Sequence, residues 1–126
     1  MTPLQAAFRF IYYVTSMSDT DLSKKTHLIR SFMLKFREMI DFDIAHETDL
    51  FIDASEIDKV ALADETIDFL TTHADKLLLK ETLELAVSIS SLDGAIRNDE
   101  YAMLEKAATL WGLTIDEIIA RNDSQA

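Results

Sequence analysis

Apolar side chains recur at three- and four-residue spacing along most of this chain, the pattern of helices with one buried face. A first helix is predicted from Pro3 to Met17, with proline at the opening position where its missing N–H costs nothing. Phe8, Phe10, Ile11, Val14 and Met17 join Tyr12 and Tyr13 to cover most of its circumference, leaving a narrow polar stripe through Gln5, Arg9 and Ser16. A helix so apolar is buried on several sides or lends one side to a partner.

A second helix is predicted over about 23–40, with Ser23 as its cap. Leu28, Ile29, Phe32, Met33, Phe36, Met39 and Ile40 mark its apolar face. Lys24, Lys25, Arg30, Lys35 and Arg37 occupy the other side, close to half of the positive charge in the protein. Residues 41–53 alternate acids with Phe42, Ile44, Leu50, Phe51 and Ile52, and read as a connector with one short helical turn. Two short helices follow. The first starts at Ser55, with Ile57, Val60 and Ala61 inward; the second covers about 64–73, with Ile67 and Leu70 inward and Phe69 alongside.

The segment 77–92 carries polar residues on one stripe only, Glu81, Glu84, Ser88 and Ser91, and is the candidate for a central helix. A further helix over 98–111 buries Met103, Leu104, Ala107, Ala108 and Trp111, and Gly112 ends it with a positive φ. Thr114 then caps a last short helix through Ile115, Ile118 and Ile119. The expectation is an all-α single domain of about seven helices. A first hairpin spans about 3–40, a connector and short helices 41–76, and a second hairpin 77–122. A shift of 74 residues sets Leu28, Ile29, Met33 and Phe36 on Ala102, Met103, Ala107 and Leu110, so the hairpins read as an internal duplication.

Composition sharpens this picture. A chain of 126 residues suits one domain, and 48% hydrophobic residues suffice for a core. Only two glycines and one proline are present, too few for the many turns of a sheet protein. The net charge of −11 repels phosphate backbones and anionic lipid, so nucleic acid is not an expected partner. No run approaches the ~18 apolar residues of a membrane span, and the N-terminus lacks the pattern of a secretory leader. With no cysteine, disulfides, thiolate metal sites and thiol catalysis are excluded. The expected location is cytoplasmic.

Catalytic signatures are missing. Two glycines 18 positions apart allow neither a phosphate loop, a dinucleotide fingerprint nor a nucleophile elbow. His27, His46 and His73 lack metalloprotease spacing and read as surface or rim histidines. Asp41 and Asp43 open like a calcium loop, but Ala45, His46 and Ile52 stand at its third-ligand, glycine and glutamate positions.

One segment carries a family likeness. Ala86-Val87-Ser88-Ile89-Ser90-Ser91-Leu92-Asp93-Gly94-Ala95-Ile96, then Glu100, then Ala107-Ala108-Thr109-Leu110-Trp111-Gly112-Leu113, resembles the C-terminal half of the TerB-like family. These are helical domains related to a tellurite-resistance protein and to the N-terminal domain of a membrane-anchored DnaJ-type co-chaperone. The family places its motif twice. In the first copy here, Thr20 stands for the glycine and Thr26 for the glutamate. The resemblance implies an all-α fold and a stress-related role.

Two functional expectations stand side by side. The first is a non-catalytic module, not an enzyme and without a cofactor, that binds another protein or a second copy of itself through Phe8, Tyr12 and Tyr13. The second is a divalent-metal site, conceivable from the family likeness, with Asp19, Asp21, Asp93, Asp99 and Glu100 as carboxylate ligands near the two turns. The simpler reading of Asp93 and Glu100 is that they cap helix ends, satisfying unpaired backbone N–H groups.

Overall fold

The computed structural model describes residues 1–17, 22–53, 56–92 and 96–124, and the fold is all-α. Seven α-helices are present among these residues: α1 (Pro3–Met17), α2 (Leu22–Lys35), α3 (Ile44–Asp53), α4 (Glu56–His73), α5 (Lys76–Ser90), α6 (Asn98–Leu110) and α7 (Ile115–Ser124). A single 3₁₀ turn, Arg37–Met39, lies between α2 and α3.

The entry to α1 is a reciprocal cap. The Gln5 backbone N–H donates to Thr2 Oγ1 at 3.3 Å, and the Thr2 N–H donates to Gln5 Oε1 at 3.4 Å. This satisfies one of the orphan donors of the first turn and orients the chain ahead of Pro3. Leu4, Ala6, Ala7, Phe8, Phe10, Ile11 and Val14 are then all buried, which follows from a helix packed on several sides. α1 lies most extensively on α4, then on α5 and α3.

α5 is the central helix expected from its narrow polar stripe. It touches α1, α2, α6 and α7, and Leu83, Ala86, Val87 and Ile89 have no solvent exposure. Asp75 caps its start by accepting the Leu78 N–H at 2.8 Å. The Trp111 ring meets Phe10 edge-on at 5.4 Å between centroids, and its Nε1–H donates to Thr71 Oγ1 at 3.0 Å. One tryptophan thereby joins the end of α6 to α1 and α4.

α6 ends as anticipated. Gly112 takes φ 71°, its N–H donates to Thr109 O at 3.3 Å, and the Leu113 N–H donates to Ala108 O at 2.8 Å. This is the Schellman arrangement, which needs a residue free to enter the left-handed region.

Several expectations require correction. The second helix stops at Lys35 rather than continuing to residue 40, and Met39 is 54% exposed instead of inward. The connector 41–53 is mostly a ten-residue helix, α3. Asp43 starts it, its Oδ1 accepting the Ala45 and His46 N–H groups at 3.0 and 3.2 Å. The two short helices are one, α4, because Ala61-Leu62-Ala63 continues the helix without a breaker. Val60 and Ala61 accordingly face solvent, while Ala63, Thr66, Ile67 and Leu70 are buried. The helix containing Ser23 begins at Leu22, so Ser23 lies inside it. α5 and α6 pack as a pair, whereas α2 seats chiefly on α5.

Candidate functional site

A groove of about 420 Å³ runs between α2, α5 and α7. Its floor is apolar, made by Leu28 and Phe32 from α2, Leu85 from α5 and Ile118 from α7. Three of these four are buried and serve both the floor and the core beneath it. The volume falls in the range of about 300–1,000 Å³ usual for ligand clefts.

The rim is charged. Lys35 Nζ lies 3.0 Å from Glu81 Oε2, tying α2 to α5. Glu84 Oε1 is approached from both sides, by Lys80 Nζ at 3.9 Å and by Arg121 Nη1 from α7 at 4.0 Å. The last two separations exceed hydrogen-bond length. The cations stand further into solvent than the acids: the Lys35 side chain is 61% exposed and that of Glu81 25%. Exposed pairs of this kind contribute about 0–1 kcal/mol each, so the cations can take a new partner at little cost. Ser88 Oγ donates to Asn122 Oδ1 at 2.8 Å and fastens α5 to α7. Ser31 completes the polar lining on α2, and no histidine is among the described lining residues.

A second polar constellation lies apart from the groove. Glu47 of α3 is 1% exposed, and its carboxylate accepts from Gln5 Nε2, Arg9 Nε and Arg9 Nη2, the last at 3.2 Å. Burial by itself would raise the Glu47 carboxyl. The hydrogen bonds from Arg9 and Gln5, with the charges of Arg9 and His46, outweigh it and hold the group below its ordinary value of 4.5. Every oxygen is engaged from α1, so this pair fastens α3 to α1. It is a structural clamp with no open side for a substrate.

The residues singled out from sequence are distributed as follows. Asp19, Asp21 and Asp93 lie outside the described residues. Asp99 is exposed, with Oδ1 accepting the Glu100 N–H at 3.0 Å and Oδ2 3.1 Å from Arg97. Glu100 is buried within the first turn of α6. Among the described residues, no group of three or more His, Cys, Asp or Glu side chains converges as a metal site would. Phe8, expected on a partner-binding face, is 1% exposed and packs on Tyr12 and Phe42 at 4.8 and 5.7 Å between ring centroids. Tyr12 and Tyr13 are half-buried. The first-helix face therefore holds no open aromatic patch at Phe8; its apolar excess is spent on α4, α5 and α3.

The groove was missed from the sequence because its parts come from three helices. One local signal was readable: Lys80 and Glu84 stand four apart on α5, a spacing at which helical side chains meet. Comparison with protein-family models, characterised proteins and solved structures gives no match to this chain.

Proposed function

We propose that this protein is a non-catalytic helical binding module whose docking site is the groove between α2, α5 and α7. The observation that carries the reading is the pairing of an apolar floor with a rim of weakly held cations. An apolar floor supplies affinity by burial, and charged groups at a rim supply orientation and selectivity. Of the lining hydroxyls, that of Ser88 is committed to Asn122 rather than to a base.

The stress-related role implied by the TerB-like resemblance belongs to this same proposal. Support for it comes from the residues that carry the likeness: 86–90 fall on α5, Glu100 and 107–110 fall on α6, and Gly112 lies just past the end of α6, while Asp93, Gly94 and Ala95 lie outside the described residues. Fold-level likeness alone does not transmit a function, so the site has to be tested directly.

Site-directed photo-crosslinking in the native host tests the reading. A photoreactive amino acid at Lys80, on the groove rim, is expected to give a discrete adduct. The same residue at Glu65, exposed on α4, is expected to give none. Equal adducts at both positions, or none at either, would overturn the assignment.

A further inference from the structure

We infer that the groove and the adjoining outer face of α2 receive an acidic amphipathic helix from a partner protein. The inference rests on the binding reading above and gives the ligand its chemistry.

The first observation is charge placement. Residues 22–37 contain five of the 12 Lys and Arg residues and no Asp or Glu, in a chain of net charge −11. Lys25 is turned inward, its Nζ donating to Thr15 O near the end of α1 at 3.2 Å. Arg30, Lys35 and Arg37 point outward and are exposed. Among the described residues, Arg30 and Arg37 make no ion pair, and Lys35 is held only by the exposed contact to Glu81.

The second observation is apolar. Leu34 is 60% exposed between Arg30 and Arg37, about 100° round α2 from Lys35 on the groove rim. α2 leans on α5, and His27, Arg30 and Leu34 on its outer face are exposed. A helix in a groove is recognised by apolar anchors at i, i+3, i+4 and i+7, and its flanking charges choose the partner. Here the flanking charge on the receiving side is positive. The complementary segment therefore carries Leu-type anchors flanked by Glu and Asp, which replace Glu81 and Glu84 as partners of Lys35, Lys80 and Arg121.

Charge also separates this ligand from the alternatives. A second copy of the chain brings another −11 and is repelled at long range. Duplex nucleic acid and anionic vesicles present extended negative surfaces, which would meet the acid excess beyond α2. A single helix with a few carboxylates can meet Lys35, Lys80 and Arg121 along the groove rim without reaching that excess.

The test is selection of peptides by the full-length protein from a random-sequence library of about 14 residues, roughly four helical turns. Recovered peptides are expected to be rich in Glu and Asp and to place apolar residues at helical spacing. Binding of the consensus peptide should weaken at least about tenfold in Arg30→Glu/Lys35→Glu, weaken on addition of salt, and stay unchanged in Lys106→Glu, whose partner Asp64 lies on α4. Helical circular dichroism checks that each variant folds. Apolar peptides without acid enrichment that are blocked by Ser88→Trp would retain the groove and sink the acidic ligand. Failure to recover any peptide would sink both readings. Recovery of basic peptides, binding to phosphatidylserine vesicles or to duplex DNA in place of peptide, or self-association that occludes the groove would each overturn the inference.

Discussion

Arg9 of α1 meets the buried carboxylate of Glu47 of α3 with two of its nitrogens, Nε and Nη2. The Gln5 amide closes the remaining side. A fork of this geometry matches a carboxylate better than a point charge does. Removing one partner strands the other. Arg9→Ala is expected to destabilise the protein by about 3 kcal/mol, and Arg9→Met/Glu47→Leu to recover most of the loss. Urea unfolding followed by circular dichroism measures both. An Arg9→Ala variant as stable as the parent would show that the carboxylate is solvated after all.

The same pair sets an acid dependence. The Glu47 carboxyl lies below its ordinary value of 4.5 in the folded protein, so the unfolded chain binds this proton more readily. Its stabilising contribution is complete above about pH 4.5 and is lost as pH falls through the lower folded value. The expected outcome is a shallower fall in urea midpoint between pH 5 and pH 3 for Glu47→Gln than for the parent. Parallel curves would contradict it.

Thr82 is buried in the middle of α5, and its hydroxyl has no hydrogen-bond partner among the described residues. Buried Thr15 and Thr66 differ, since each donates to a carbonyl of its own helix at 2.8 Å. Replacing an unpaired hydroxyl by a methyl of similar size removes a desolvation cost. Thr82→Val should stabilise by about 1 kcal/mol, read as a higher urea midpoint with an unchanged slope. A lower midpoint would indicate a polar contact.

Gly112 is exposed and a Cβ there would meet no atom within 4 Å, so only its φ of 71° constrains it. Gly112→Ala is expected to cost about 1–2 kcal/mol from the left-handed conformation, and Gly112→Asn less. Thermal unfolding orders the three proteins. Alanine and glycine with equal melting temperatures would mean that α6 ends differently in solution.

The parts of this fold that sequence reveals are those settled within a few residues. α1 has its predicted ends because Pro3 opens it and its apolar run closes at Met17. Gly112 announced its turn, and the narrow polar stripe of α5 announced a central helix. A Thr2-to-Gln5 capping box was also present in the sequence as a readable signal. Distant partners were not legible. Acid–apolar alternation made 41–53 look like a solvated connector, because nothing local discloses that Arg9 neutralises Glu47 38 residues away. Likewise Arg121 and Glu84 belong to one rim only after α7 has folded back on α5.

The placement of α1 has a consequence for synthesis. Its principal neighbours, α4 and α5, begin at Glu56 and Lys76. At about 5–20 residues per second, an N-terminal segment emerges several seconds before α5 exists to receive it. During that interval Phe8, Phe10, Ile11 and Val14 have no interior to enter. The nascent chain thus passes through a stage in which its most oily helix is unshielded, and a holding chaperone at the ribosome exit would find its target there.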